Sequence, residues 1–182
     1  MAETSSRKFT TTIIISLTLI IGLSCWVYLS YSKSYMAPNV SLQFIDGRSS
    51  TLLEVITGPT LVTFWATSCK TCVKKTPELK ALYKKLNSQG FEIIAVAMSY
   101  DPPNQILNFS DNFEIPYPIA LDIDGSIAKA FDDVELTPTT FLISNDMKIV
   151  MTAIGDINTS ELEKKIVKML ALQNSTAVNE TS

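Results

Sequence analysis

A β-rich run that passes into a helical pattern at two cysteines restricts the fold more than any other feature. The run Thr60–Trp65 follows a Gly-Pro pair and indicates a buried strand. Cys69 and Cys72 come next, and apolar residues then recur at helical spacing until Gly90, a typical helix end. A helix that begins at a cysteine directs unpaired backbone N–H groups and the positive end of its dipole at the sulfur.

Strand and helix patterns alternate along the rest of the chain from residue 40. Further strands are predicted at residues 40–45, 91–98 and 118–121, at Thr139–Ile143 and at Ile149–Ile154; further helices are predicted at residues 102–113, 126–131 and 159–172. The almost continuous apolar character of residues 91–98 is typical of a strand buried on both faces. This alternation predicts an α/β fold with helices on both faces of a central sheet.

Residues 9–32 carry no charged side chain and are mostly apolar. As a helix they would span roughly 36 Å, which exceeds the roughly 30 Å hydrocarbon core of a bilayer. Arg7 and Lys8 precede the stretch and only Lys33 follows closely, which favours a cytoplasmic N-terminus. We therefore expect a single transmembrane helix that anchors the chain in a lipid bilayer. A cleaved signal peptide, or a lipoprotein modified at Cys25, remains an alternative.

These patterns divide the chain into five parts. We expect a short N-terminal segment at residues 1–8, the anchor at 9–32, a linker at 33–39, one domain at 40–172 and a flexible polar tail at 173–182.

Composition excludes several classes of function. The 182 residues include no histidine and three cysteines, so catalysis by a histidine base and imidazole metal sites are excluded. The net charge of −3, from 15 Lys and Arg against 18 Asp and Glu, gives no basic excess for nucleic acid. A zinc site would need a second pair of ligands, and a c-type haem site needs histidine where Val73 stands. We expect no metal, no cofactor and no nucleic-acid partner.

The spacing of Cys69 and Cys72 allows the two sulfurs to close a small disulfide ring. The helix N-terminus and the nearby lysines favour the thiolate of Cys69, the form that attacks a partner disulfide. Cys72, one turn further along, would be more buried and would resolve the mixed disulfide that Cys69 forms. The residues therefore predict a dithiol that acts by exchange.

Several motifs in this order resemble the membrane-anchored, TlpA/ResA-like branch of the thioredoxin superfamily. They are residues 61–66 (Leu-Val-Thr-Phe-Trp-Ala), the two cysteines, residues 77–79 (Pro-Glu-Leu) and residues 137–143 (Thr-Pro-Thr-Thr-Phe-Leu-Ile). The resemblance covers roughly residues 40–172. It implies a thioredoxin-like fold with a central mixed sheet, and a thiol-disulfide oxidoreductase in the bacterial cytoplasmic (inner) membrane whose domain faces the periplasm or extracytoplasmic side.

The resemblance also implies the residues that bind substrate. Pro138 would be a cis proline packed beside the cysteine pair, and the backbone around Thr137 would pair with an extended segment of the substrate. Trp65 would form a wall of the active site. From the residues alone, Pro138 also fits a proline at the start of a strand, and Trp65 fits plain core packing.

Two positions depart from the family pattern. Thr63 stands where thioredoxins have a buried Asp and many TlpA-like proteins have Asn, so the proton of Cys72 must go elsewhere, through water or a carboxylate such as Glu114 or Asp101. Ser68 stands where the family usually has an aromatic residue, which puts the choice of partner in question.

The function expected from these features is the reduction of protein disulfides. The resemblance suggests electrons from a membrane thiol-electron transporter, and substrates in cytochrome c maturation or the assembly of a metal site. Two alternatives stay open at this point. One is a dithiol oxidase or isomerase that uses the same residues, and the other is a non-enzymatic Cu(I) chaperone of thioredoxin fold that binds the metal through both thiolates.

Overall fold

The computed structural model describes residues 16–24 and 36–180, without the side chains of residues 174 and 176–180. The chain separates into two units, Met1–Ser34 and Tyr35–Ser182. In the first unit, residues 16–24 form a helix (α1). Within the described residues, no helix combines the length and the apolar character that crossing a bilayer requires. Residues 9–15 and 25–32 of the predicted anchor lie outside the described residues, as do residues 1–8 and 33–35.

The second unit contains seven strands and five α-helices among its described residues. In chain order they are β1 (Ser41–Gln43), β2 (Ser49–Thr51), α2 (Leu52–Val55), β3 (Thr60–Trp65), α3 (Lys70–Leu86), β4 (Glu92–Ala97), α4 (Pro103–Phe113), β5 (Ile119–Leu121), α5 (Ser126–Ala130), β6 (Thr139–Ile143), β7 (Ile149–Ile154) and α6 (Thr159–Glu180). A 3-10 turn, Asn87–Gln89, follows α3 and ends at Gly90 with a positive φ.

Five of the strands form one mixed sheet in the order β5-β4-β3-β6-β7. β3, β4 and β5 run parallel, whereas β6 is antiparallel to both β3 and β7. β3 lies at the centre, which is why all six of its residues are buried. Its register places Thr63 opposite Thr140 of β6. The predicted α/β fold with a central mixed sheet is confirmed.

The alternation of side chains along β3 divides the core between the two faces of the sheet, as expected for a strand covered on both sides. Val62 and Phe64 pack on one face with residues of α2 and α5, and Phe64 contacts the rings of Phe131 and Phe141 edge-on. Leu61 and Trp65 pack on the other face with residues of α3 and α6. The cysteine-bearing helix is therefore held against the sheet by its own apolar stripe.

Two short elements were not predicted. β2 and α2 follow the first strand directly, and β1 pairs with β2 as a separate two-stranded sheet. The run Ser49-Ser50-Thr51 is too polar and too short to stand out as a strand in a sequence. The backbone N–H of Thr51 donates to the carboxylate of Glu54 at 2.9 Å, which fixes the start of α2.

The last helix is longer than predicted. α6 continues to Glu180 rather than ending at residue 172. The flexibility of a tail at residues 173–182 stays a prediction. No glycine or proline interrupts residues 156–180, so the backbone hydrogen bonds continue beyond the buried face. The side chain of Gln173 also donates to the carbonyl of Thr57 at 3.0 Å and ties this part of the helix to the domain.

Candidate active site

Cys69 and Cys72 are joined by a disulfide at the start of α3. Cys69 is the N-cap residue, and its sulfur accepts a hydrogen bond from the backbone N–H of Cys72 at 3.2 Å. Cys69 is half-buried, whereas Cys72 is only 6% exposed. A partner can therefore approach Cys69, while the sulfur of Cys72 lies behind it. This is the order that the predicted roles of nucleophile and resolving cysteine require.

The peptide bond between Thr137 and Pro138 is cis, the isomer that the resemblance implies. Pro138 is buried and its carbonyl accepts from the backbone N–H of Gly155 at 2.7 Å. Thr137 is half-buried, and its hydroxyl lies 3.4 Å from the hydroxyl of Tyr100 in the loop after β4. Pro138 lines the same cavity as Cys72, so the structure brings the proline loop and the cysteine pair together.

This cavity, about 30 Å³ in volume, lies beside Cys72 on the face of the sheet that α3 covers. We call it the chamber. Besides Cys72, its polar lining residues are Thr63, Trp65, Lys75, Thr76, Tyr117 and Thr140; its apolar lining includes Leu79, Ala95, Phe109, Ile115 and Ile119. The hydroxyls of Thr63 and Thr140 are 3.1 Å apart. The chamber is thus mostly apolar, with a small polar group where the family usually places a buried acid or amide.

Trp65 lies mainly inside the protein. The residue is 6% exposed, and its ring packs against Phe109 with centroids 5.1 Å apart. The structure therefore places Trp65 in the wall of the chamber, beside Cys72 and Pro138, and leaves little of its ring for a partner to contact.

Asp101 does not lie where an acceptor for the proton of Cys72 would have to lie. It is 5% exposed, and its two carboxylate oxygens accept from the backbone N–H and the hydroxyl of Thr67 at 2.5 and 2.7 Å. Glu114 is exposed at the end of α4, and neither residue lines the chamber. The hypothesis that one of these carboxylates serves Cys72 is not supported. Asp101 instead holds the loop that leads into Cys69 by these two hydrogen bonds, which we call the brace.

A cluster of charged side chains joins α3 to the loop after β7. The ammonium of Lys75 lies 2.7 Å from Asp156 and 3.0 Å from Glu78, and it donates to the carbonyl of Ile157 at 3.0 Å. The hydroxyl of Thr159 also donates to Glu78 at 2.5 Å. Because this loop also holds the carbonyl of Pro138, the cluster connects the cysteine-bearing helix to the proline loop.

Comparison with known proteins agrees with this geometry. The profile of the Redoxin family matches residues 32–170. The chain belongs to the Redoxin family.

Curated relatives narrow this assignment. The thiol-disulfide oxidoreductase ResA of Bacillus subtilis is 33% identical over 131 residues, which cover 72% of this chain and 72% of the relative. ResA of Bacillus thuringiensis subsp. konkukian is 31% identical over 133 residues, covering 73% of this chain and 76% of the relative. This Redoxin family member is therefore a TlpA/ResA-like protein of the thioredoxin superfamily and a thiol-disulfide oxidoreductase.

Solved structures agree on the fold. A thiol:disulfide interchange protein of the thioredoxin family from Chlorobium tepidum superposes with a TM-score of 0.69 at 20% identity, covering 76% of this chain and 98% of that one. At this sequence identity, the structural similarity supports the thioredoxin-like fold of the Redoxin family member but no statement about its function.

The charged cluster gives this Redoxin family member a pH-dependent stability. Burial alone would lower the pKa of Lys75, but its hydrogen bonds to Asp156 and Glu78 outweigh burial and raise it. The pKa of Asp156 is lowered chiefly by its hydrogen bond with Lys75, and that of Glu78 by hydrogen bonds with Thr159 and then Lys75. Lowered carboxylate pKa values stabilise the fold above their ordinary range, and the raised lysine pKa stabilises it below its ordinary range.

We expect Lys75→Met to lower the stability by a constant amount between about pH 5 and pH 10. The loss should shrink as pH falls through the lowered pKa values of Asp156 and Glu78, because protonated carboxyls no longer attract the lysine. Urea unfolding at a series of pH values measures this difference. Lys84→Met, on the exposed face of α3, is the matched control. Parallel pH profiles for wild type and Lys75→Met would contradict the assignment.

Proposed function

We propose that this protein is a membrane-tethered, extracytoplasmic reductase of protein disulfides. The observation that carries the proposal is the arrangement of one accessible and one buried cysteine at a helix N-terminus, beside a cis proline. An accessible sulfur at a helix N-terminus is favoured as thiolate, and the buried sulfur one turn away is placed to attack it after the first exchange.

Reduction would proceed in two exchanges. An extended segment of the partner pairs with the backbone around Thr137, with Trp65 and Pro138 forming the wall behind the cysteines. The Cys69 thiolate attacks one sulfur of the partner disulfide, so that a mixed disulfide forms and the other partner sulfur leaves as a thiolate. Cys72, deprotonated, then attacks the Cys69 sulfur. The partner is released with both sulfurs reduced, and the two electrons come from the cysteine pair, which returns to the disulfide.

The cellular setting of the proposal rests on sequence. The uncharged stretch at residues 9–32 would hold the protein in the bacterial cytoplasmic membrane by a single helix, with the domain on the periplasmic or extracytoplasmic side. A thiol-electron transporter in the same membrane would re-reduce the cysteine pair. Disulfides of proteins in cytochrome c maturation or metal-site assembly would be the substrates.

Replacing Cys72 with serine is expected to hold the partner on Cys69 as a stable mixed disulfide, because the second exchange then lacks its nucleophile. The measurement is non-reducing electrophoresis of the full-length variant after expression in a bacterium, followed by mass spectrometry of the bands that disappear on reduction. Cys69→Ser/Cys72→Ser is the control and should trap nothing. If the single variant traps no partner above this control, the proposed reaction is contradicted.

The direction of electron flow has its own test. A reductase requires a reduction potential low enough to donate electrons to partner disulfides, in the region of thioredoxin at about −270 mV. Equilibration of the full-length protein with glutathione or dithiothreitol buffers measures this potential. A value near about −120 mV, typical of strong dithiol oxidants, would replace the reductase assignment with that of an oxidase.

A further inference from the structure

The chamber beside Cys72 contains polar groups whose hydrogen-bonding capacity the protein does not fill. Trp65 lines the chamber, and its indole N–H is buried without an acceptor among the described residues. The hydroxyls of Thr63 and Thr140 bond to each other at 3.1 Å, which uses one of their two hydrogens and leaves acceptor capacity on both oxygens. A buried N–H without a partner costs about 1–3 kcal/mol, so it calls for an explanation.

The size of the chamber supplies that explanation. A buried water requires about 10–15 Å³ and two to four polar partners. The chamber measures about 30 Å³, and its lining residues include Trp65 with its unpartnered indole N–H, the hydroxyl-bearing Thr63 and Thr140, and Cys72. A water molecule can satisfy Trp65 and the threonine pair at the same time. Both the polar groups and the volume of the chamber therefore support a site for one or two water molecules.

We propose that the chamber is a water site that carries the proton of Cys72, with Thr63 and Thr140 as the positioning residues that hold the water. The inference rests on the proposed function, because it concerns the second exchange of that reaction. The Cys72 thiol gives its proton through the chamber water to bulk solvent, and the resulting thiolate attacks the Cys69 sulfur. The bond between Cys69 and the partner breaks, the disulfide between Cys69 and Cys72 forms, and the partner thiolate takes up a proton from solvent.

Water performs two tasks in this arrangement. It accepts the proton, and by donating a hydrogen bond to the thiolate it favours the charged form of Cys72. Lys75, Gly155 and Ile157 line the chamber and are only partly buried, so they mark the side on which the water approaches solvent. The threonine pair thus takes the place of the buried acid as the polar group that faces the resolving cysteine.

The charged groups around the chamber do not provide another acceptor. Among the described residues, Lys75 is the single charged side chain in the lining, and it approaches from α3. Its ammonium donates to Glu78 on the same helix, and to Asp156 and the carbonyl of Ile157 in the loop after β7. The sheet contributes Thr63 and Thr140, and the loop before β5 contributes Tyr117, whose burial raises the pKa of its phenol. When Cys72 loses its proton, Lys75 and Tyr117 are protonated and the two threonines are neutral. Glu78 and Asp156 are ionised, but they lie outside the lining and are paired with Lys75.

The test separates the two exchanges in full-length protein, with Cys25→Ser as the wild-type background because a third thiol would also release the coloured product. Reduced protein is mixed with dithiobis-nitrobenzoate, an aromatic disulfide that releases one coloured thiolate when Cys69 attacks and a second when Cys72 resolves. In Thr63→Val the second phase should slow by about tenfold or more at about pH 6, while the first phase stays within about twofold. The second-phase rates of variant and wild type should converge at high pH, where Cys72 is already a thiolate. Thr140→Val should give the same pattern.

Thr60→Val is the matched control, because Thr60 is a buried threonine of the same strand that bonds to Gly58 and lies outside the chamber. Both of its phases should match wild type. Water in the chamber is checked separately by NMR, as a nuclear Overhauser effect between water and the Trp65 indole proton that does not arise from chemical exchange. A second phase unchanged in Thr63→Val, or slowed equally at every pH, would overturn the inference, as would a dry chamber. Loss of both phases in wild type would instead overturn the proposed function.

Discussion

Cys69→Ser is expected to lower the rate of protein-disulfide reduction to that of the reaction without enzyme. A serine oxygen forms no mixed disulfide, so neither exchange can start. Cys72 cannot substitute, because it is only 6% exposed and lies behind Cys69. The reduction of insulin disulfides by dithiothreitol, with full-length protein in detergent, measures this effect.

The chain contains its own control for this experiment. Cys25→Ser removes the third cysteine, which lies outside the described residues, and should leave the rate of insulin reduction at the wild-type value. A rate for Cys69→Ser well above the enzyme-free rate would mean that the chemistry does not start at this sulfur. It would contradict the roles assigned to both cysteines of the pair.

Asp101→Ala is expected to produce the largest loss of stability among the polar residues near the site. The substitution leaves the backbone N–H and the hydroxyl of Thr67 without their acceptor. Hydrogen bonds to a charged group contribute about 1.5–3 kcal/mol each, so we expect a loss of about 3 kcal/mol or more. Urea unfolding measures it. Asp101→Asn should lose about half as much, because its amide oxygen retains one of the two bonds.

This substitution should also slow catalysis, because Thr67 belongs to the loop that leads into Cys69. Asp111→Ala, on the exposed surface of α4, is the matched control and should change stability by no more than about 0.5 kcal/mol. An Asp101→Ala variant as stable as this control would show that the brace contributes nothing to the folded state.

The sequence predicted the central sheet better than its surroundings. β3, β6 and β7 have the predicted bounds, because each is an apolar run between a turn or loop on either side. The β1–β2 sheet was missed because its second strand is short and polar. The end of α6 was missed because a helix without a breaker can continue after its apolar stripe ends.

The cysteine pair could be found from the sequence, but its supports could not be assigned. The two cysteines lie close together in the sequence, at a junction between a predicted strand and a predicted helix. The motif can therefore be recognised from one short segment. The brace joins Thr67 to Asp101, and the chamber joins Thr63 to Thr140, across long stretches of chain. One signal was available: β3 and β4 are neighbouring parallel strands, and Thr67 and Asp101 both follow carboxyl ends that meet at one edge of the sheet.

The sulfur of Cys69 has a second duty that follows from its position as the N-cap of α3. It accepts a hydrogen bond from the backbone N–H of Cys72, so the nucleophile of the reaction also caps the helix that carries it. Alanine at this position would remove both the nucleophile and the N-cap acceptor. A loss of activity could then result from disorder in the first turn of α3 rather than from the missing sulfur. Serine retains an acceptor of the kind that helix starts prefer. Mutational scans of such enzymes should therefore rank alanine and serine separately at this position.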